Sequence, residues 1–396
     1  MIIKDPLVES IENNNRKIIF YVFIVCVFLG LKFTQLLRVT STISYVLLFI
    51  VAITTTIMFI KDRKKDVSWP ALFFLLTGAL SLIASPINKE FRPVERYLLF
   101  AIMFMGYGPL FQSEKTNDFR YLVFHKIQFW FVLITLASFV TYILRVPFAF
   151  GNAGFKGLTP HSMDLSPVAA LSSLYSVQKL MDSQTKKIKY AWGGAALVSI
   201  ATMIMGASRG AILGFFVAIL YYIVIRVRKI GKSFTVVFIA VSAIIILFYV
   251  NPFSMMDNLE MKMERVERTE DITGGRDQMF QLRFRELSES PVFGVGFSSM
   301  KYSHTENGFF EAGSGWVFIL SSTGILGFIF SLLMCLTALN NSRRFPKTAL
   351  LSATCLFFII HSIVEGYILT VSNGLCLYLW LVVGLSTNKY YLKKYA

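Results

Sequence analysis

Long apolar stretches recur along the whole chain, broken by short polar clusters. Their spacing predicts membrane-crossing helices near 18–37, 43–60, 69–84, 95–111, 122–144, 163–180, 190–207, 210–226, 234–250, 315–338, 348–364 and 367–387. Only "VEGYI" separates the last two, so a single re-entrant pair is the alternative there. The fold class that follows is an all-α integral membrane protein of about 12 transmembrane helices. It forms a single polytopic domain over 1–396, with one long loop, 251–314, between spans nine and ten. No extended polar half remains that would fold as a separate soluble domain.

Sidedness is read from charge. If the spans alternate from a cytoplasmic N-terminus, "KDRKKD", "KLMDSQTKKIK", "RVRKIGK", "NNSRRFPK" and "NKYYLKKYA" all fall on the cytoplasmic face, as the positive-inside rule requires. Both termini are then cytoplasmic. The opposite face receives the turn at Ser208–Arg209, the loop "RVPFAFGNAGFKGLTPH" and the long loop. The first apolar run follows Arg16 and Lys17 with no small-residue cleavage site after it, and is expected to be a retained span.

The long loop carries its own pattern. Met256, Leu259, Met263 and Val266 repeat at helical spacing, as in a helix lying on the membrane or on the spans. A second short helix is expected to start near "TGGRD" and stop at "SESP", with Arg276, Phe280, Arg283 and Leu287 on one face.

Composition narrows the class without changing it. Hydrophobic residues make up 55% of the 396, and mean hydropathy is +0.61, which excludes an ordinary soluble domain. The net charge of +16 sits in clusters between apolar runs rather than along one face, so membrane topology explains it better than nucleic acid does. Cys26, Cys335, Cys355 and Cys376 lie inside apolar runs without a C-x-x-C pair and read as packing residues. His125, His161, His304 and His361 are scattered and no acid cluster has the density of a magnesium site, so neither a metal nor another cofactor is expected.

One charge stands out. In "MIMGASRGAILGFFVAIL", Arg209 sits at the outer end of a span, where a charge is costly within hydrocarbon, so either it serves function or it snorkels to the interface. Gly206, Ala207 and Gly210 favour function, because small residues leave room for a phosphate to approach the backbone at a helix N-terminus. His361 and Glu365 are one helical turn apart and share a face, either for substrate or for a mutual hydrogen bond. Trp316, Tyr302, Phe309 and Phe310 would stack on sugars or form an interfacial aromatic belt.

Three stretches in order, "GASRGAILGFF", "GGRDQMFQLRFRELSESPVFGVGF" and "GSGWVFILSSTGILGF", resemble the bacterial O-antigen polymerase and O-antigen ligase superfamily (Wzy/WaaL type). With "FKGLTPHSMDLSPVAALSSL" before and "HSIVEGYIL" after, the resemblance covers roughly residues 150 to 370. It implies a GT-C-like membrane glycosyltransferase of the bacterial inner membrane, working at the periplasmic face on oligosaccharides linked to undecaprenyl pyrophosphate. A polymerase moves the growing glycan from one lipid carrier onto a lipid-linked repeat unit. A ligase moves it onto lipid A-core. A chain-length regulator and a flippase are the accessory partners the resemblance brings with it.

Arg209 and Arg276 match the family's arginine positions, and arginine suits a pyrophosphate leaving group because it donates bidentately and never deprotonates. Arg283 is placed with His361, Glu365 and Trp316 as substrate-binding, unless it pairs with Glu286 or Glu289. Where ligases carry a histidine, about eleven residues before Gly324, this chain has Gly313 and Ser314, which favours the polymerase branch. The general base then falls to Glu311 or His304. A flippase or secondary transporter is the alternative of another class, but the chain shows no pair of matching halves.

Overall fold

The computed structural model describes residues 16–35, 41–84, 91–151, 154–227, 276–302 and 312–394. The expected ninth span at 234–250, the amphipathic stretch around Met256–Val266, and His304 and Glu311 lie outside the described residues.

Helices dominate. In chain order they are α1 Arg16–Lys32, α2 Ser41–Lys61, α3 Trp69–Ala84, α4 Pro93–Gly106, α5 Glu114–Ile143, α6 Ser162–Asp182, α7 Lys186–Met205, α8 Arg209–Val227, α9 Arg276–Glu289, α10 Gly315–Ser342, α11 Ala349–Val364, α12 Gly374–Ser386 and α13 Lys389–Lys394. Two small antiparallel ladders interrupt the helical pattern: β1 Lys65–Val67 pairs with β2 Phe111–Ser113, and β3 Phe150–Gly151 with β4 Gly154–Phe155. Among the described residues, five helices are long and apolar enough to cross a membrane, and four more are shorter and apolar. The chain is a membrane protein with several apolar helices.

Contacts between helix ends sort them into two groups. At one end, Lys32 Nζ donates to the Val371 carbonyl at 3.3 Å, Gly315 N–H to the Glu365 carbonyl at 3.0 Å, and Arg96 Nη1 to the Ser298 carbonyl at 3.0 Å. At the other end, Lys115 N–H donates to Asp62 Oδ2 at 3.0 Å, Arg226 pairs with Asp182, and Asn341 Nδ2 donates to the Thr387 carbonyl at 2.7 Å. Lys394 there meets Glu114 and Asp118, both at 2.9 Å. The described parts of all the basic clusters therefore lie at this second end, opposite the candidate site.

Small side chains let the helices approach closely. On α6, Ala169, Ala170, Ser172, Ser173 and Ser176 are all buried, and α6 packs along α7 with Ser172 Oγ 2.8 Å from Ser199 Oγ. α12 is buried on every side. Its 13 residues span about 20 Å, short of a hydrocarbon core of roughly 30 Å. The expected span 367–387 is shortened because residues 367–373 leave the helix and form a non-helical wall. Trp380 Nε1 and Cys376 Sγ both donate to the Ile368 carbonyl, at 2.9 and 3.1 Å, and satisfy backbone that no helix satisfies.

Two further boundaries move for local reasons. α5 begins at Glu114 rather than near 122, because Ser113 and Thr116 form a reciprocal cap: Thr116 N–H donates to Ser113 Oγ at 3.3 Å, and Ser113 N–H to Thr116 Oγ1 at 2.9 Å. α4 stops at Gly106, and the chain turns at Tyr107–Leu110 into β2. Arg120, fully buried, holds that turn by donating from Nε to the Tyr107 carbonyl at 3.1 Å and from Nη2 to the Gly108 carbonyl at 2.6 Å.

α10 is broken. Gly324 has φ 70 and ψ −174 inside it, and the segment after α9 is spliced into the gap. Val295 N–H donates to the Ser321 carbonyl at 2.9 Å, and Ile325 N–H to the Pro291 carbonyl at 2.9 Å. Gly294, with φ 74, approaches so closely that a Cβ would sit 2.4 Å from the Ser322 carbonyl carbon, and one on Gly324 would sit 2.2 Å from the Val292 oxygen. The splice carries Phe297, fully buried, into a ring cluster with Phe74, Tyr97 and Phe100.

Gly294→Ala and Gly324→Ala are each expected to destabilise the protein, by about 1–3 kcal/mol from the left-handed backbone alone and more from the overlap. Thermal unfolding of the detergent-purified variants, followed by tryptophan fluorescence, measures this.

Candidate functional site

A cavity of about 430 Å³ opens among the ends of α2, α4, α6 and α11 and the 365–373 wall. Its chemistry comes from Arg96, Asp164, His361, Glu365, Tyr367 and Asn373, with Ser298 and Met300 of the splice and Phe318 of α10 closing one side. Such a mixture, polar groups converging on a partly apolar concavity, suits a sugar with hydroxyls on both faces.

Each polar group is held by its element. Arg96 follows Pro93 at the start of α4; its guanidinium lies 5.3 Å from the Phe91 ring centroid while donating to Ser298. His361 is almost fully buried in the last turn of α11, its Nδ1 3.0 Å from the Tyr367 hydroxyl, and Ser362 Oγ donates to the same hydroxyl oxygen at 3.2 Å. Glu365 ends α11: its N–H donates to the His361 carbonyl at 3.1 Å and its own carbonyl accepts from Gly315. The one-turn spacing of His361 and Glu365 thus brings both to the cavity, with Tyr367 as the partner of the imidazole.

Arg209 opens α8 and is exposed. Ala207, at φ 52, turns the chain between α7 and α8, and Ser208 N–H donates to Ser166 Oγ of α6 at 3.2 Å. The neighbouring glycines do not hold open space for a phosphate as the sequence suggests. A Cβ on Gly206 would lie 2.4 Å from Ser166 Oγ, and one on Gly210 would lie 2.1 Å from Val364 Cγ2 and 3.6 Å from His361 Cδ2. The small residues let α6 and α11 close on both sides of the turn, and Arg209, exposed at the head of α8, is not among the residues that line the cavity.

The other expected residues are placed as follows. Arg276 is the first residue of α9, and α9 ends at Glu289 as "SESP" predicts. Arg283 is 2% exposed and pairs with Glu286 at 2.7 Å, its Nη2 donating to the Tyr302 carbonyl at 2.6 Å. Glu286 Oε1 in turn accepts from the Lys301 and Tyr302 N–H groups, at 2.6 and 3.0 Å. Arg283 therefore belongs to the joint that fastens α9 to the splice rather than to the cavity lining. Burial pushes the Glu286 carboxyl above its ordinary value and the Arg283 guanidinium below its own, and the attraction between the two opposes both shifts. Trp316 donates from Nε1 to the Ile359 carbonyl at 3.0 Å and meets Phe328 edge-on, tying α10 to α11 outside the cavity lining.

Outside this joint, Glu289 accepts hydrogen bonds from Lys301 and from the Tyr302 hydroxyl, and these hold its carboxyl below the ordinary value. Arg96, Asp164, Tyr367 and Asn373 are cavity residues that the sequence did not single out. Asp164 stands in the quoted "HSMDLSP", where the only available signal is an acid at the start of an apolar run. Among the described residues, no group of three or more His, Cys, Asp or Glu is placed to hold a metal.

Two outcomes are expected for the α9 joint. Glu286→Ala leaves Arg283 buried without its carboxylate and is expected to cost about 3–5 kcal/mol, read as faster proteolytic cleavage between α9 and α10. Glu289's contribution is present above the ordinary glutamate pKa and is lost as pH falls through its depressed value. Cleavage should accordingly rise below about pH 4, and Glu289→Gln should flatten that rise.

Residues 194–332, from within α7 through most of α10, match the family model described as Wzy_C, O-antigen ligase. No curated protein matches the chain. The match spans Arg209, Arg276, Arg283 and Trp316, all named above, and over this stretch the chain is similar to the O-antigen ligase family.

Proposed function

We propose that the protein is a polysaccharide polymerase of the bacterial inner membrane, moving a growing glycan from undecaprenyl pyrophosphate onto the next lipid-linked repeat unit. The observation that carries this reading is a polar cavity at the helix ends opposite all the described basic clusters, the same end at which the exposed Arg209 opens α8. By the positive-inside rule those clusters face the cytoplasm, so the cavity opens on the periplasmic side. Both termini are then cytoplasmic, and the loop 251–314 belongs to the periplasmic side.

The chemistry follows from the groups present. A pyrophosphate leaving group needs positive charge where negative charge develops, and the Arg209 guanidinium supplies it at the membrane surface. Arg276, at the head of α9, is the second candidate for that role. Catalysis then rests on bringing two lipid-linked substrates into one geometry, which a rigid junction of α6, α8 and α11 favours. Gly313 and Ser314, at the position where the resemblance places a ligase histidine, support the polymerase branch over transfer to lipid A-core.

Arg209→Ala is expected to abolish long polymer in intact cells while the protein level in membranes is unchanged; normal polymer would exclude the assigned role. Deleting the gene separates the branches. A polymerase deletion leaves core capped with one repeat, and a ligase deletion leaves bare core and lipid-linked polymer.

A further inference from the structure

We propose that Asp164 is the general base of the transfer, taking the proton of the acceptor hydroxyl; this rests on the polymerase reading above. Among the described residues the cavity lining contains two carboxylates, Asp164 and Glu365, and their surroundings differ. Glu365 follows the last turn of α11, in the wall itself. Asp164 sits in the first turn of α6, between Ser162 and Ser166, the two residues against which the Arg209 turn is packed. Ser166 Oγ donates to the Met203 carbonyl at 3.0 Å and accepts from Ser208 N–H at 3.2 Å, so one side chain fixes α6 to the end of α7 and the start of α8.

That junction gives Asp164 its advantage. A base and a leaving-group cation must keep a constant separation on either side of the reacting carbon, and here both belong to one hydrogen-bonded joint. Asp164 faces the cavity from α6. Arg209 leaves the same joint at the head of α8, exposed at the end of the bundle where the cavity opens. Arg96, held by the Ser298 carbonyl in the same lining, is the group we assign to orienting the sugar.

The step balances within these groups. The acceptor oxygen bonds to the anomeric carbon of the donor glycan as the bond from that carbon to the pyrophosphate oxygen breaks. The acceptor proton passes to an Asp164 carboxylate oxygen, and the electron pair leaves on the lipid pyrophosphate, whose charge Arg209 meets.

The test uses the purified full-length protein in lipid nanodiscs. The probe is the polyprenyl-pyrophosphate oligosaccharide extracted from membranes of a strain lacking this gene. Wild type should elongate it. Asp164→Asn, close to isosteric, should lower kcat by about 10²- to 10⁴-fold with KM unchanged, and Asp164→Glu should recover part of that loss. Should Asp164→Asn not accumulate, Asp164→Ser should show the same loss of kcat at constant KM. A variant lacking the carboxylate that keeps kcat within about threefold, or that raises KM at constant kcat, overturns the assignment while leaving the polymerase reading intact. No elongation by wild type overturns the polymerase reading and this inference with it.

Discussion

Backbone that leaves the helix inside an apolar bundle must find its hydrogen bonds within the protein, and this single requirement shapes the site. The break in α10 is possible because Pro291 and Val295 supply the acceptor and donor that Ile325 and Ser321 lose. The wall after α11 is possible because Trp380, Cys376 and Lys32 donate to its carbonyls. Regular helices in both places would remove the Ser298 and Met300 side of the cavity and the Tyr367–Asn373 side together. The concavity is thus a by-product of two irregular segments, each held by partners distant in sequence.

The same requirement explains how the charged residues divide. Arg120 and Arg283 are both deeply buried, and both end on backbone carbonyls, of Tyr107 and Gly108 in one case and of Tyr302 in the other. They fasten turns. Arg209 is exposed and Arg96 faces the cavity, so these cations have a side open to an incoming anion or sugar. Arginine identity alone does not separate the two kinds of work, and hydrogen-bond geometry does.

Helix positions were readable where apolar runs were long and ended in charge, as at 69–84, where expectation and α3 coincide. They were misread where tertiary partners overrode hydropathy. The polar start of α5 looks like a loop until its capping box and the Lys394 contacts are known, and the apolar 367–373 looks like a helix until the cavity beside it is seen. At the cavity, His361 and Glu365 were legible because a charged or titratable group in an apolar run is conspicuous. Arg96 and Asp164 sit near run ends, where a charge is ordinary, and only packing brings them to the cavity. Gly206 and Gly210 were visible as small residues, but nothing in the order of residues tells whether the space beside them is kept for a ligand or filled by α6 and α11.

α12 carries a consequence for biogenesis. Every residue from Gly374 to Ser386 is enclosed by other helices, and its neighbours include α5, α10 and α11. A helix of 13 residues is too short to span the hydrocarbon core by itself, yet nearly all the other described helices are synthesised before it. During translation the earlier helices must therefore either wait around an unfilled centre or reopen to admit it. The irregular stretch just ahead, residues 365–373, is the length of chain that allows so late an arrival to be threaded into the middle.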